Sequence, residues 1–412
     1  MKQTKTVALV GAFDTKGEEY ALVQQAIQAR GLSTLMIDVG VLGEPRVRPD
    51  ITRAEVARAG GGDIEALRAG NDRGRAVEAM GAGLEKLLPK LLAEGRFHGV
   101  LALGGTGGTS VACRGMRMLP YGIPKVMVST AAGGNVSCYV DVKDIVMIPS
   151  IVDIAGINRI SREVLLRAAG AVCGMVETEI PADAGSKPLI VASMFGNTTS
   201  AVETARAILE KAGYEVIVFH ATGQGGRIME GLVERGLVAG VLDITTTEWA
   251  DELVGGVLTA GPTRLEAAAR TGTPAIIAPG CLDMVNFQGP ETVPAKFKGR
   301  KFYPHNPSVT LMRTDIAENR KLGEIIAGKL NASRGPVTVL FPRKGVSVVG
   351  APGGPFAWPE ADAALLDALR KALKPEIPLI EMDANINDPA FATRCAETLL
   401  ELMRLKANST KR

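Results

Sequence analysis

Short apolar runs alternate with longer segments of helical periodicity along nearly the whole chain. Because the apolar runs are continuous, they are typical of parallel strands that are covered on both faces. The pattern therefore predicts an α/β fold with mostly parallel sheets. The strands predicted in the first half are Thr6–Val10, Thr34–Asp38, Gly99–Leu103, Lys125–Ser129 and Ile145–Ile148. Those predicted in the second half are Leu189–Met194, Glu215–His220, Gly240–Ile244, Ala275–Ala278, Val337–Phe341 and Leu379–Met382.

Helical periodicity fills most of the intervals between these strands. The predicted helices are Lys16–Arg30, Arg75–Leu92, a run beginning at Val111, Ser200–Lys211, Leu265–Ala269, Asp315–Leu330, Ala361–Ala372 and Pro389–Leu405. For the first helix we predict a capping box, in which Thr15 and Glu18 satisfy amides that have no partner inside the helix.

The two halves share the same order of strands and loops. Gly99–Gly108 in the first half corresponds in position to Gly240–Trp249 in the second. We therefore predict two Rossmann-like sub-domains, 1–182 and 188–412, joined by an exposed linker near Pro181–Pro188.

Composition narrows the class of protein. The chain has 412 residues, a net charge of +3 and only 4% aromatic residues, so a nucleic-acid partner is not expected. Its five cysteines form no C-x-x-C pair, which favours reduced thiols in a cytoplasmic protein. The apolar run Val7–Phe13 is too short for a secretory signal, and no run is long enough to cross a membrane.

The strongest candidate for chemistry is the glycine-rich segment that follows the third predicted strand. Glycine lets backbone amides approach an anion, and the first turn of a helix adds unpaired N–H groups. We predict that these amides and hydroxyls bind phosphate; the alternative is a tight turn that only packs against its helix. The residues concerned are Gly104, Gly105, Thr106, Gly107, Gly108, Thr109 and Ser110.

Other strand ends supply further candidates for the same site. We predict that Lys16 contacts an outer phosphate, that Asp14 holds Mg²⁺ through water, and that Asp38 binds ribose hydroxyls. The neighbouring Thr15 belongs to the same loop, and a second glycine pair with an amide follows the fourth strand, at Gly133, Gly134 and Asn135. Each of the charged residues has an ordinary alternative as a solvated side chain or a helix cap.

Two common nucleotide motifs are absent from the sequence. There is no G-x-x-x-x-G-K-[ST], which argues against a P-loop NTPase, and the glycines after the first strand do not match G-x-G-x-x-G. A dinucleotide cofactor is therefore disfavoured.

The second half contributes a separate set of candidates. Asp283 and Lys344 follow predicted strands, and His305 lies in a predicted loop. A small acidic substrate would lie in a cleft between the halves, among Arg343, Lys344 and His305, with Asp283 as the base. Cys281 is a weaker candidate nucleophile, because no paired base is visible. No spacing of histidines and cysteines matches a zinc site.

Several segments together resemble one family. They are GAFDTKGEE, LALGGTGGTS, VSTAAGGN, FYPHNPSVTLMRT and FPRKGVSVVGAPGGPF, and they make the chain similar to the Tm-one-like ATP-binding domain family, named after a tomato protein that confers virus resistance. The resemblance implies two Rossmann-like sub-domains, ATP bound in the first, and a homodimer. It also leads us to expect that this chain lacks the C-terminal barrel domain of the tomato protein.

Three functional hypotheses remain open at this point. The first is an ATP-binding cytoplasmic protein whose chemistry is unassigned. The second is an enzyme that acts on a small phosphorylated or carboxylated metabolite between the halves. The third is a regulatory module in which the nucleotide sets the angle between them.

Overall fold

The computed structural model describes residues 4–181 and 187–410. The chain divides into two compact units, Met1–Ala182 and Asp183–Arg412, each built around its own parallel sheet. Most of the predicted linker lies outside the described residues. The two mostly parallel sheets confirm the predicted α/β class with two Rossmann-like sub-domains.

Unit 1 contains five parallel strands in the order β2-β1-β3-β4-β5. The strands are β1 (Thr6–Gly11), β2 (Ser33–Asp38), β3 (Gly99–Gly104), β4 (Lys125–Ser129) and β5 (Val146–Pro149). The helices are α1 (Phe13–Gln28), α2 (Arg53–Ala59), α3 (Ile64–Ala69), α4 (Arg73–Ala93), α5 (Thr106–Arg117), α6 (Ser137–Val140) and α7 (Arg159–Glu177). Apolar side chains of α1 and α7 cover one face of the sheet, and those of α4 and α5 cover the other.

The strand order of unit 1 reverses between β1 and β3. From β1 the chain continues to β2 on one side of the sheet, and from β3 it continues to β4 on the other. The loops at the carboxyl ends of β1 and β3 therefore separate and leave a crevice between them. In open α/β sheets this crevice is where ligands bind.

Tyr20 of α1 fills the base of the crevice. Its buried hydroxyl donates to the carbonyl of Val10 and accepts from the amide of Leu103 at 2.8 Å, which joins β1 to β3 where their ladder ends. A side chain at Gly11 would overlap this ring, because a Cβ there would lie 1.9 Å from the hydroxyl. The glycine is thus required by the tyrosine that passes over it.

Unit 2 repeats the strand order with one more strand. Its main sheet has the order β14-β13-β9-β8-β6-β7, and a small antiparallel sheet has the order β10-β12-β11. The strands are β6 (Leu189–Met194), β7 (Glu215–His220), β8 (Gly240–Thr245), β9 (Ala275–Gly280), β10 (Met284–Phe287), β11 (Phe302–Asn306), β12 (Val309–Arg313), β13 (Val337–Pro342) and β14 (Leu379–Met382). The helices are α8 (Thr199–Lys211), α9 (Gln224–Glu234), α10 (Glu248–Val254), α11 (Ala267–Thr271), α12 (Ile316–Leu330), α13 (Pro359–Ala372) and α14 (Pro389–Thr410), with one-turn 3₁₀ helices at Gly196–Thr198, Pro290–Thr292 and Ala295–Phe297.

Two predicted helix starts were wrong. The capping box of Thr15 and Glu18 does not form, because α1 begins at Phe13, whose amide donates to the carboxylate of Asp38 at 3.1 Å. The helix after the glycine-rich segment begins at Thr106 instead of Val111. Its glycines suppress the sequence signal for a helix, yet they lie in the first turn, where fewer helical hydrogen bonds depend on them.

We expect Tyr20→Phe to destabilise unit 1 by about 1–3 kcal/mol, because the Leu103 amide would remain buried without an acceptor. Urea unfolding followed by far-UV circular dichroism measures the loss, and hydrogen exchange at the Leu103 amide locates it. Tyr214→Phe is the matched control, because the Tyr214 hydroxyl makes no hydrogen bond within the described part of the chain. Equal stability of the two variants would contradict the bridging role.

Candidate functional site

A cleft of about 630 Å³ opens at the crevice between β1 and β3. We call it the unit 1 cleft, because all its lining residues belong to that unit. One part of its wall is apolar and another is charged. The apolar residues are Val39, Val41, Leu42, Leu67, Val77, Met80 and Val111, and the cations are Lys16, Arg68 and Arg73.

The amino end of α5 faces the unit 1 cleft with unpaired amides. Gly105 is the N-cap residue, and no side chain caps the helix. The amides of Thr106, Gly107 and Gly108 have no acceptor among the described residues. By contrast, α2, α3, α4, α7 and α12 each begin with a side chain that accepts from the first turn. The end of α5 is therefore left open to an anion supplied from outside.

Arg73 places a cation directly beside these amides. A guanidinium nitrogen of Arg73 lies 3.3 Å from the position that a Cβ would occupy at Gly107. The side chain is exposed, and it has no ion-pair partner in the part of the chain that the structure describes. Arg68, deeper in the same wall, is already 3.5 Å from Glu65 and 3.7 Å from Glu44. Arg73 is thus the cation that remains available to a ligand.

Lys16 is held on the opposite side of the unit 1 cleft. Its ammonium donates to the carbonyl of Ile154 at 2.6 Å, next to Asp153, which also lines the cleft. The backbone of Lys16 leaves helical geometry inside α1, with φ −128° and ψ 24°. The lysine is therefore oriented by a single backbone contact and retains further N–H donors for a ligand.

Asp14 and Asp38 are structural rather than exposed to a ligand. Asp14 accepts from the amides of Leu42 and Gly43 at 2.8 and 3.1 Å, and its other carboxylate oxygen is buried without a hydrogen-bond partner. Asp38 is fully buried, receives the Arg53 guanidinium at 2.7 Å, and does not line the cleft. Asp14 nevertheless lines the unit 1 cleft, where sequence reasoning expected it, whereas Asp38 does not.

The remaining predicted phosphate ligands divide into two groups. Gly105, Gly107 and Gly108 line the unit 1 cleft, as does Thr15. Thr109 is buried, and its hydroxyl is bonded to the Gly105 carbonyl at 2.8 Å and to the Ser129 hydroxyl at 2.6 Å. Three further predicted phosphate ligands do not line the cleft, namely Gly104, Thr106 and Ser110.

The second predicted glycine pair lies at another depression. Ser129, Thr130, Gly133 and the segment Pro149–Asp153 surround a hollow of about 520 Å³, which we call the side lobe. Gly134 and Asn135 line neither hollow, and the Asn135 side chain accepts from the amide of Ser137 at 3.0 Å. Asp153 lines both the side lobe and the unit 1 cleft.

The corresponding position in unit 2 is filled by the protein itself. Between the ends of β6 and β8, the Ser193 hydroxyl donates to Asp243 at 2.6 Å, and the hydroxyls of Thr198 and Thr245 lie 2.7 Å apart. At the start of α9, Glu248 accepts from the amide of Gly223 at 2.8 Å. Side chains of unit 2 thus bond to one another at its switch point.

Arg264 completes this filling of unit 2. Its fully buried guanidinium lies between Asp243, Glu248 and Glu230. Burial raises the pKa values of Glu230 and Glu248, and the arginine opposes that effect. Unit 2 therefore uses its charged groups to hold itself together.

The predicted catalytic residues of unit 2 do not form a cluster. Asp283 is fully buried and accepts from the Ser347 hydroxyl at 2.6 Å. His305 lies exposed in the β11–β12 hairpin, and Lys344 is exposed and pairs with Asp383 at 2.8 Å. Cys281 is buried, which raises the pKa of its thiol well above the usual value, so it does not fit a nucleophile.

Sequence reasoning missed Arg73 and the apolar wall of the unit 1 cleft. Both come from the segment between β2 and β3, where α2, α3 and α4 form a wall beside the crevice. A local signal was present, because Asp72 precedes the helix and its side chain accepts from the amide of Arg75 at 3.0 Å. The cap predicts a helix start at Arg73, but it does not predict what that helix packs against.

Residues 4–181 and 187–410 contain neither a metal-binding cluster nor a membrane-spanning helix. No group of three or more histidine, cysteine or acidic side chains there is arranged to hold a metal ion. No helix there is both long and apolar enough to span a membrane.

Fold and cleft together define a protein of two Rossmann-like units with an open crevice in the first. Two family models match this chain: the N-terminal domain of the Uncharacterised protein family (UPF0261) matches residues 5–181, and its C-terminal domain matches residues 187–403. The chain belongs to this family.

Relatives from bacteria and a plant agree with this assignment. A UPF0261 protein of Clostridium tetani is 50% identical over 97% of this chain and 99% of its own length. The ToMV resistance protein Tm-1(GCR237) of Solanum lycopersicum is 42% identical over 80% of this chain, and the match spans 45% of the tomato protein. The expected relationship to the tomato protein is thereby confirmed at the level of the family.

Solved structures are similar only in a general way. A UDP-GlcNAc 2-epimerase from Neisseria meningitidis, bound to UDP-GlcNAc, is 11% identical over 66% of this chain and 82% of its own, with a TM-score of 0.24. A C2-type ketoreductase from a modular polyketide synthase is 15% identical over 97% of this chain and 88% of its own, also at 0.24. Scores this low support no inference about ligands.

Burial raises the pKa of Asp283 from 3.8 to about 6, against the opposing effect of Arg313. At pH values between 3.8 and about 6, the folded state thus binds more protons than the unfolded state. We expect the free energy of unfolding of unit 2 to fall as the pH rises from about 4 to about 6, and Asp283→Asn to reduce that fall by roughly 2–3 kcal/mol.

Tryptophan fluorescence during urea unfolding measures this effect selectively, because Trp249 and Trp358, the chain's two tryptophans, both belong to unit 2. Asp383→Asn is the control: Lys344 lowers the pKa of this exposed carboxyl, so its small contribution has the opposite sign. An unchanged pH profile in Asp283→Asn would contradict the proposed origin of the slope. Asp251, whose pKa burial raises to about 7, maintains part of the slope in either variant.

Proposed function

We propose that unit 1 binds a nucleoside triphosphate, ATP, in the unit 1 cleft. One observation carries the proposal: at the start of α5, where the amides of Gly107 and Gly108 are unpaired, the guanidinium of Arg73 lies 3.3 Å from the position of a Cβ at Gly107 and has no ion-pair partner among the described residues. An uncapped helix end together with a free cation is favourable for a phosphate group and for few other ligands. The ATP named in the resemblance to the Tm-one-like family supports the same choice.

The phosphate chain lies along the charged side of the cleft in this proposal. The amides at the start of α5 bind oxygens of one phosphate, and Arg73 binds the same group from the side of α4. Lys16, oriented by Ile154, contacts the outer phosphate from across the cleft. Three independent elements thus contribute positive potential to one small volume.

The nucleoside lies against the apolar side of the cleft. Leu67, Val77 and Met80 line the wall formed by α3 and α4, and the largely exposed Leu42 lines the loop after β2. A flat base that packs between these side chains removes apolar surface from water. A wall of mostly apolar side chains with a few polar groups is the usual composition of a ligand pocket. At about 630 Å³, the cleft falls within the ordinary range for such pockets.

Asp14 does not fit the role of magnesium ligand. Its two carboxylate oxygens are buried; one accepts two backbone amides and the other faces the backbone at Gly40. Arg53 also lies 3.9 Å from this carboxylate. The carboxylate instead fixes the loop that presents Leu42, so we assign it a structural role.

We expect Arg73→Ala to weaken ATP binding by roughly 10- to 100-fold, because a charge-assisted hydrogen bond to phosphate is worth about 1.5–3 kcal/mol. Isothermal titration calorimetry on the full chain measures the affinity. Arg75→Ala is the matched control, since Arg75 is exposed in the same helical turn but does not line the cleft. NAD serves as the control ligand and should bind more weakly than ATP. Equal affinities of the two variants would remove Arg73 from the site.

Gly107→Asp tests the electrostatic argument at the helix itself. A carboxylate there would lie within reach of Arg73 and occupy the anion position, so we expect ATP affinity to fall about 100-fold or more. Gly107→Asn has the same shape without the charge and should lose about tenfold at most. Both variants should fold, because polar residues are well tolerated in a first helical turn. Equal losses would indicate steric exclusion, and full affinity in both would disprove the proposed site.

A further inference from the structure

The side lobe continues the unit 1 cleft on the far side of the glycine-rich segment. Thr130 lines the side lobe, and its hydroxyl lies 3.6 Å from the position that a Cβ would have at Gly105. Asp153 lines both hollows, and the next residue, Ile154, holds the ammonium of Lys16 through its carbonyl at 2.6 Å. Asp153 therefore lies at the boundary between the two hollows, next to the residue that holds Lys16.

A strained residue marks the wall of the side lobe. Ile151 has φ +64°, a backbone conformation that is rare for a β-branched residue, and it is 72% exposed. An exposed isoleucine gains little from packing that would offset this cost. Such outliers concentrate at ligand sites, where the backbone is held in one geometry by function.

Few polar groups of the side lobe remain free for a ligand. The Ser129 hydroxyl is bonded to Thr109 and accepts from the Ala131 amide, and the Ser150 hydroxyl donates to the carbonyl of Val152 at 2.6 Å. Thr130 and Asp153 are exposed, and one carboxylate oxygen of Asp153 accepts from the amide of Ile154 at 2.8 Å, which leaves the other for a ligand. No lysine or arginine lines this lobe within the described residues. A carboxylate without a cation disfavours an anionic ligand and favours one that donates hydrogen bonds.

We propose that the side lobe binds a small molecule with a nucleophilic hydroxyl or amino group, and that this acceptor receives the terminal phosphoryl group of ATP. The inference rests on the proposed function, since ATP in the unit 1 cleft supplies the phosphoryl group. Asp153 accepts hydrogen bonds from the acceptor and takes its proton. Thr130 orients the acceptor from the other side.

The proposed step balances without any further reactant. The oxygen or nitrogen of the acceptor forms a bond to the γ-phosphorus, and the bond from that phosphorus to the bridging oxygen breaks. The electron pair of the broken bond leaves with ADP, and the acceptor's proton passes to Asp153 and then to solvent. ATP and the acceptor thus give ADP, the phosphorylated acceptor and a proton, with no change of oxidation state.

The test uses the full chain with ATP, Mg²⁺ and either glycerol or ethylamine as surrogate acceptor at high concentration. Phosphorus NMR distinguishes a phosphate ester or phosphoramidate from inorganic phosphate, and the arm that yields product identifies the acceptor class. We expect Asp153→Asn to lower product formation about 100-fold, the usual contribution of a general base. Gly133→Leu, where a Cβ meets no atom within 4 Å, fills the side lobe and should lower it roughly tenfold or more.

Gly170→Leu is the control, because its Cβ is equally unobstructed and Gly170 lies on α7, outside both hollows. Calorimetry with ATP separates the two proposals. If wild-type protein does not bind ATP, the proposed function itself fails. If it binds ATP but forms only inorganic phosphate or no product, the transfer proposal alone is overturned. Full product formation by Gly133→Leu would likewise exclude the side lobe as the acceptor site.

Discussion

The separation of β1 and β3 at their carboxyl ends is the constraint on which the rest of unit 1 depends. Parallel strands whose chains leave in opposite directions cannot cover the space between them. The Tyr20 side chain fills the base of that space, and its hydroxyl is hydrogen-bonded to both strands. Above the tyrosine, the ends of α1 and α5 face the opening. The unit 1 cleft is therefore a consequence of strand order, and its charge follows from the helix ends that strand order places there.

The two units show how one topology serves two purposes. Both have a switch point after their first and third strands, but unit 2 fills its own with Ser193, Thr198 and Thr245. In α10, the helix that follows β8 as α5 follows β3, Glu248 of the first turn accepts from the amide of Gly223 at the start of α9. Backbone groups that are satisfied internally contribute to stability, and groups left unsatisfied at the surface are available to a ligand. This difference is the reason why we place the proposed ligand in unit 1.

Both units contain buried charge, and in unit 1 the buried Arg53 guanidinium pairs with Asp38 at 2.7 Å. In unit 2, Arg264 lies among three carboxylates, and Asp283 is enclosed beneath Ser347. Burial raises the pKa values of Glu230, Glu248 and Asp283, so the contribution of these carboxylates to stability depends on pH. In unit 1, Arg73 remains solvated and Lys16 is only partly buried. A solvated cation can form an ion pair with an incoming anion. A cation in a fully buried ion pair cannot, because its charge is already paired.

The sequence by itself determined the main parallel strands and their alternation with helices, because continuous apolar runs have few alternatives to buried strands. It also predicted that Gly105–Gly108 would follow β3, since glycine clusters are visible without any contact information. It did not predict that Asp38 would start α1, or that Arg73 would reach Gly107. Those contacts join residues that are 25 and 34 positions apart in the sequence. The sequence also did not predict that Asp283 would be buried while His305 would be exposed. Local pattern specifies elements, whereas only tertiary packing decides which polar groups meet, because that depends on distances between segments that the pattern does not encode.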